Sequence, residues 1–512
     1  MNFQNKPTTI HLIWLLLILS MGCKPDIKPF ALLTSEKTGI SFTNTLRTAP
    51  ELNILNYIYY YNGGGVATAD FNNDGRLDII FTANQAHPEL YLNLGKMQFS
   101  SVALNLNTDF STGWTNGVSI VDINNDGWMD IYLCRVGAHP RLTGQNMLLV
   151  HQGLDASGDP IFEEKAKEYG LDFKGYGTQA AFFDYDLDGD LDVYLLNHSI
   201  NPNQNYGKGT KRETADHVSG DKLYENIQEI FVDVTQAMGI FQGSIGYGLG
   251  LSISDYNHDG YPDLYIGNDF FENDYLYINQ QGNSFKEVIH QKNESISHTT
   301  HYSMGNDSGD INNDGHTDII SVDMLPEDLS TYKTSGTEFN YQIYDQFIKN
   351  GYGYQFMQNT LQLNTGHGAF SEIGFAAGVA ATEWSWSPLL ADFDQDGYQD
   401  LYVTNGIVGA TNDMDFINFV ANEEIQKQLG ANMTGQSMSF IDQIPTKHSA
   451  NYIFQNHQGH SFVDRVGQWI PETPSYSNGA AYGDFDNDGD LDLVVNNVNE
   501  PAFILENHID QS

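Results

Sequence analysis

Bulky apolar residues flank a polar turn seven times along the chain. Phe71, Ile123, Tyr185, Tyr256, Ile311, Phe393 and Phe485 lead into it, and Ile79, Ile131, Val193, Leu264, Ile319, Leu401 and Leu493 lead out. Such aliphatic and aromatic positions on either side of a turn predict strands. Downstream of most turns comes an aromatic-Leu-x-Asn signature: Tyr91-Leu92-Asn93 with Phe99, Tyr277-Ile278-Asn279 with Phe285, and Leu361-Gln362-Leu363-Asn364 with Phe370. It predicts an outer hairpin. The copies lie 52 to 92 residues apart and show no helical periodicity. Each interval holds one four-stranded sheet, so the chain is expected to be all-β, a seven-bladed β-propeller with a few helical insertions.

The turns share the form D-x-[DN]-x-D-G-x-x-D. Positions 1, 3, 5 and 9 are Asp70, Asn72, Asp74 and Asp78 in the first copy and Asp122, Asn124, Asp126 and Asp130 in the second. They are Asp184, Asp186, Asp188 and Asp192, then Asp255, Asn257, Asp259 and Asp263, then Asp310, Asn312, Asp314 and Asp318. The last two copies are Asp392, Asp394, Asp396 and Asp400, and Asp484, Asp486, Asp488 and Asp492. These are the hard oxygen ligands Ca²⁺ collects, with glycine at position 6 for a tight wrap and a variable position 7 suited to a carbonyl ligand. Up to seven structural Ca²⁺ ions are expected. The loops lack the position-12 Glu of an EF-hand, which argues against a calcium sensor.

Eight residues before position 1, six copies carry an aromatic residue (Trp114, Tyr176, Tyr247, Tyr302, Trp384 and Tyr476), and the first has Tyr61 one residue earlier. At ~3.3 Å per strand residue these rings sit on the face opposite the acidic loops. The second strands bring Asn197, Asn268, Asp323, Asn405 and Asn497 to that face, and Asp307 adds a charge to an inner strand. Together they are the candidate ligand site, either as a stacking platform at the channel mouth or as a plug between blades. The insertions 198–222, 324–359 and 406–450 open on the same face, the last with a helix expected around 413–429. His298, His301 and Tyr302 near Asp307 are the weak candidates for catalysis, and Cys134 reads as a small buried hydrophobe.

Lys6 precedes an apolar run from Ile10 to Leu19 that ends in Leu19-Ser20-Met21-Gly22-Cys23. The run is too short to span a bilayer. It predicts export, with 1–23 a lipoprotein-type signal peptide similar to a bacterial lipobox, Cys23 lipidated, 24–38 a linker and 39–512 the propeller. Residues 39–44 (Gly39 to Asn44) are expected to supply the last blade's missing strand and close the ring. The net charge is −43, from 23 Lys and Arg against 66 Asp and Glu, which excludes nucleic acid as a partner and leaves the lipid as the only membrane attachment. The 12% aromatic content belongs to a folded chain, and two cysteines make no disulfide framework.

The loops resemble the FG-GAP/VCBS repeats of the integrin α-subunit propeller. Asn62-Gly63-Gly64-Gly65-Val66-Ala67 and Thr382-Glu383-Trp384-Ser385-Trp386-Ser387-Pro388 resemble bacterial proteins of the cartilage acidic protein-like/ASPIC-UnbV family. In that family the propeller is usually followed by an ASPIC/UnbV domain, which this sequence is expected to lack, as a truncated paralogue or as a fragment. The resemblance implies calcium binding and a surface or secreted location, as an outer-membrane or cell-surface lipoprotein or else a periplasmic or secreted protein. The expected function is a calcium-stabilised binding or adhesion module whose non-calcium face meets a glycan or protein. The alternative is a polysaccharide-active, lyase-like enzyme on the same scaffold.

Overall fold

The computed structural model describes residues 29–106, 108, 110–200, 207–290, 295–336, 341–420 and 437–509. The export segment 1–23 with Cys23, and the first part of the 24–38 linker, lie outside the described residues. Seven four-stranded antiparallel sheets form a seven-bladed β-propeller. The innermost strands, in chain order, define blades 1 to 7: Val66–Ala69, Thr115–Val121, Gly177–Phe183, Gly248–Ser254, Gly305–Gly309, Ser385–Ala391 and Ser477–Gly483.

Every second strand starts at the position-9 aspartate: Asp78–Phe81, Asp130–Arg135, Asp192–Asn197, Asp263–Asn268, Asp318–Val322, Asp400–Asn405 and Asp492–Asn497. All their residues are buried, because each second strand lies between two neighbouring sheets. This explains why they read as continuous apolar runs and not as alternating ones. The cores lie between blades. Ile80, Leu90 and Leu92 of blade 1 meet Ile131, Leu133 and Leu149 of blade 2, and Ile79, Phe81 and Tyr91 meet Phe485, Val494 and Ile504 of blade 7.

At the axis the inner strands approach closely. A Cβ on Gly117 would stand 2.5 Å from the Thr178 carbonyl oxygen, and one on Gly479 would stand 2.7 Å from that of Gly64. Glycine is required there by backbone contact between blades. The strands leave a central channel of about 340 Å³.

The ring closes through blade 7, with a different strand from the one expected. Phe30–Leu32 pairs antiparallel with Phe503–Asn507, in register Phe30 to Asn507 and Leu32 to Leu505. The closing strand thus falls inside the segment read as linker. Residues 39–44 form a wedge: Ile40 and Phe42 enter the core between blades 7 and 1, Phe42 stacks on Phe81 at 4.6 Å, and only single bridges join Thr43 to Pro501 and Asn44 to Val498. Alternate burial mimics a strand in the sequence, whereas a three-residue strand carries too short a pattern to be seen. The helix expected around 413–429 is described over Met414–Val420, and 421–429 lie outside the described residues.

Candidate metal loops and the opposite face

Each acidic turn is organised by its own backbone. In blade 1, Asp70 accepts from the N–H groups of Asp74 (3.0 Å) and Gly75 (2.7 Å), and Asp74 accepts from Arg76 at 3.0 Å. The position-6 glycines have φ between 82° and 100°, as wrapping the loop demands. Position 4, which the sequence reading passed over, is also left-handed in all seven copies, from Asn125 at 53° to Leu187 at 63°. Its amides tie one loop to the next. Asn73 donates to the Gly127 carbonyl (3.2 Å), Asn313 to Gly397 (2.8 Å), Gln395 to Gly489 (2.8 Å) and Asn487 to Gly75 (3.4 Å). The signal was present in the sequence, since asparagine tolerates left-handed backbone and fills position 4 in four copies.

The position-9 carboxylate is the keystone of each blade. Asp78 accepts from the Phe71 N–H at 2.9 Å and from the Asn93 N–H, on the third strand, at 2.7 Å. The other six copies repeat both bonds, with His151, Asn226, Asn279, Asn364, Asn456 and Asn507 as the third-strand donors. Burial pushes these carboxyls up, to about 6 for Asp130, about 7 for Asp263 and about 8 for Asp400.

The third-strand asparagine of the hairpin signature also reaches the preceding blade. Asn279 donates to the Tyr185 carbonyl (2.8 Å), Asn364 to Tyr256 (2.9 Å), Asn456 to Ile311 (2.8 Å) and Asn507 to Phe393 (2.9 Å). Asn93 donates to Phe485 at 2.7 Å, which joins blade 1 to blade 7. In blade 2 the His151 imidazole takes this place against the Phe71 carbonyl at 3.0 Å.

Two kinds of loop differ in their fitness for a cation. In blades 3, 6 and 7 carboxylate oxygens of Asp184, Asp186 and Asp192, of Asp392, Asp394 and Asp400, and of Asp484, Asp486 and Asp488 lie within 4.8 Å of one another. That spacing suits oxygen ligands held at roughly 2.3–2.6 Å from one Ca²⁺. Asp486 Oδ1 is buried without a hydrogen-bond partner, and so is Oδ1 of the position-7 residues Asp190 and Asp490. Burial and then the neighbouring carboxylates push Asp490 up to about 7. In blades 1, 2, 4 and 5 an asparagine at position 3 donates to the position-5 carboxylate instead, as Asn72 does to Asp74 at 3.1 Å. Position 7 was read as a backbone ligand in every copy; Asp190 and Asp490 add side-chain oxygens there.

On the opposite face the aromatic crown is core, not platform. Segment 46–61 folds over the channel mouth, where Tyr57 and Tyr60 pack on Trp114 at 5.4 and 5.2 Å and Tyr59 meets His198 at 4.3 Å. Trp114 and Tyr247 have no exposed surface, Tyr61, Tyr176 and Trp384 are buried, and Tyr302 and Tyr476 are half-buried. The chain's own tyrosines occupy the stacking positions expected for a ligand. The run Tyr57-Ile58-Tyr59-Tyr60-Tyr61 was the signal for such a cap.

The polar candidates are equally committed to structure. Asn197, Asn268, Asn405 and Asn497 are buried. The N–H groups of the first three are held by Asp221 (2.8 Å), Asp274 (2.9 Å) and Asn451 (2.9 Å), and Asn497 Nδ2 donates to the Pro501 carbonyl at 2.7 Å. Asp323, which burial pushes up to about 8, accepts from the N–H groups of His301 and Tyr302, both at 3.0 Å. Asp307 lines the channel, accepting from Ser308 and Leu390 at 2.8 Å each. The His301 ring bonds Gln355 at 2.6 Å, and His298 lies 3.7 Å from Glu372. These contacts do not assemble the base and neutralising group a lyase needs. Cys134 is fully buried, as expected.

What this face does present is a groove of about 590 Å³ built by the 324–359 insertion of blade 5. Its helix Tyr341–Lys349 is anchored by Phe347, which stacks on Phe271 at 4.6 Å. Tyr341 is 81% exposed, Phe375 66% and Phe356 45%, which gathers exposed aromatic surface at the groove. The 198–222 insertion is held by an ion pair: Arg212 donates to Glu272 Oε1 at 3.1 and 2.9 Å and to the Gly351 carbonyl at 3.3 Å.

A family profile described as FG-GAP-like repeat matches residues 70–133, 255–321 and 439–495, which include the loops of blades 1, 2, 4, 5 and 7. The chain is similar to cartilage acidic protein 1 of Mus musculus, 30% identical over 140 residues, covering 27% of this chain and 21% of that protein. The Homo sapiens protein gives 30% over 140 residues and 20% of its length. The match spans about a fifth of the length of these relatives. A solved structure concerned with recognition of non-reducing terminal N-acetylglucosamine by an Agrocybe aegerita lectin aligns at a TM-score of 0.40 and 13% identity, over 81% of this chain and 84% of that one. No helix among the described residues is long and apolar enough to cross a membrane.

Proposed function

We propose that this chain, which carries FG-GAP-like repeats, is an exported, calcium-stabilised binding module whose insertion-bearing face engages a glycan or protein ligand. The observation that carries the reading is the exposed aromatic groove on blade 5, a variable insertion on a rigid ring. Positions 1, 3, 5 and 9 of each loop would hold Ca²⁺, and the all-acid loops of blades 3, 6 and 7 would depend on it most. Bound ions supply counter-charge to clustered carboxylates and need take no part in chemistry. The chain is tethered through a lipid on Cys23, which metabolic labelling with a radioactive fatty acid tests: incorporation is lost in Cys23→Ala.

Chelation is the direct test of the metal. At a free calcium 100 times the dissociation constant each ion stabilises by about 2.7 kcal/mol, so excess EDTA should lower the melting temperature steeply. An unchanged melt rejects the ions. A glycan and secreted-protein array probed with the calcium-loaded chain tests the face, with binding expected for wild type and reduced for Phe356→Ala. A folded, loaded protein that binds nothing overturns it.

A further inference from the structure

The blade-5 groove has walls, floor and charge that together define the chemistry of an occupant. Its walls are ring faces: Tyr344 stacks on Phe356 with centroids 6.0 Å apart and planes 15° from parallel, while Tyr341 and Phe375 stand out into solvent. Its floor is polar but uncharged. Gln355 Oε1 accepts from His301 Nδ1 at 2.6 Å and its amide donates to the Phe271 carbonyl at 2.8 Å, which fixes the tautomer with the imidazole Nε2 as an acceptor. Gln358 lies beside them, 8% exposed, its amide 3.3 Å from His298 Nε2.

Among the described residues no Lys, Arg, Asp or Glu lines the groove, and burial pushes the His301 imidazole down to about 4, so the floor is neutral at physiological pH. Among the described lining residues an anion would meet no cation, and it would feel the −43 of the whole chain, while a cation would find no carboxylate among them. A purely apolar occupant would cover the amide oxygen of Gln358, whose nitrogen alone is paired among the described residues, with His298, and this is unfavourable. Flat apolar faces over a floor of amide and imidazole groups complement a molecule that has one apolar face and a rim of hydroxyls. The volume lies within the 300–1,000 Å³ typical of small-ligand clefts.

We propose that this groove binds a neutral saccharide, with Tyr341, Phe356 and Phe375 stacking on sugar rings and Gln358 reading their hydroxyls. The proposal rests on the binding-module reading and names its ligand class and site. It moves that site off the channel mouth, where the sequence placed it.

Affinity electrophoresis of the calcium-loaded chain through native gels tests it. The gels contain neutral polysaccharides (mixed-linkage β-glucan, xylan, galactomannan) or anionic ones (alginate, chondroitin sulfate). Expected is retardation in at least one neutral gel and none in the anionic gels, with the apparent dissociation constant raised tenfold or more by Phe356→Ala and by Tyr341→Ala at unchanged melting temperature. Gln358→Leu keeps the volume and should weaken saccharide retardation equally, while an apolar fluorescent dye binds it as well as it binds wild type. Three outcomes overturn the proposal. Retardation only in anionic gels, abolished by the groove variants, sinks the neutral class and leaves the binding face standing. Retardation in neutral gels that ignores the variants sinks the site. No retardation in any gel sinks the saccharide, and the array then decides whether a protein ligand remains.

Discussion

The two faces of the propeller are built on opposite plans. On the acidic face seven turns repeat one geometry, with the same carboxylate-to-backbone bonds, the same left-handed positions 4 and 6, and asparagine clasps at five of the seven junctions between blades. The other face repeats little beyond its aromatic crown and the corner at the end of the second strands. It is closed by a tyrosine cap, an arginine–glutamate pair that ties the 198–222 insertion to blade 4, and helices found in single blades. Redundancy stabilises the ring, so any one clasp is one of many. Single contacts shape the recognition face, so each is hard to replace.

The largest effect should therefore come from breaking a contact used once. Glu272 has no exposed surface, and Arg212 donates two hydrogen bonds to it. Arg212→Ala would leave that carboxylate buried without its main cation and is expected to cost about 3–5 kcal/mol, read from urea unfolding. Proteolysis should then begin in the 198–222 insertion. A cost below 1 kcal/mol would mean the 198–222 insertion does not depend on the pair.

A second comparison runs between blades at one corner of the upper face. The residue that accepts the N–H at the end of the second strand is Asn146, Asn359 or Asn451 in blades 2, 5 and 6, and Asp221 or Asp274 in blades 3 and 4. Burial pushes both aspartates up to about 7. Their folded pKa lies above the unfolded value of ~3.9, so their contribution to stability is complete below about pH 4 and is lost as pH rises through 7. Asn146 and Asn451 donate to the Tyr132 and Tyr402 hydroxyls at 3.0 and 2.9 Å, which shows that an amide fits the corner. Asp274→Asn is expected to gain about 2–3 kcal/mol over wild type between pH 5 and pH 8, measured as the difference in urea unfolding free energies at constant calcium. An equal pH slope in both proteins would show that the buried carboxyl does not titrate.

The same contrast explains what could be read from the sequence. Blade number, the acidic turns and the strands on either side of them were legible because each is written seven times, and a pattern repeated at fixed spacing survives local variation. The Asn93, Asn279 and Asn364 signature was visible too, though its clasp on the preceding blade was not, because sequence spacing does not show which neighbouring carbonyl a side chain meets. The closing strand Phe30–Leu32 was missed for its brevity. The tyrosine cap and the blade-5 groove were missed because each occurs once and is defined by contacts between residues far apart, Tyr57 with Trp114 and Phe347 with Phe271. The crown was found, but its burial depended on a segment with no periodicity.

The clasps permit the finest test of redundancy, because the ring contains its own control. Asn364 donates to the Tyr256 carbonyl of blade 4 and to the Thr317 carbonyl of its own blade, at 2.9 and 3.1 Å. Asn226, its counterpart in blade 3, donates to Leu191 of its own blade at 3.3 Å, and the structure shows no bond from it to Ile123 of blade 2 among the described residues. Removing a side chain that serves two carbonyls strands more buried polar surface than removing one that serves a single carbonyl at longer range. Asn364→Ala should therefore cost about 1–2 kcal/mol and Asn226→Ala about half as much, compared by urea midpoints in saturating calcium. Equal losses would place the energy of the clasp within each sheet, and the interface between blades would then be held by apolar packing alone.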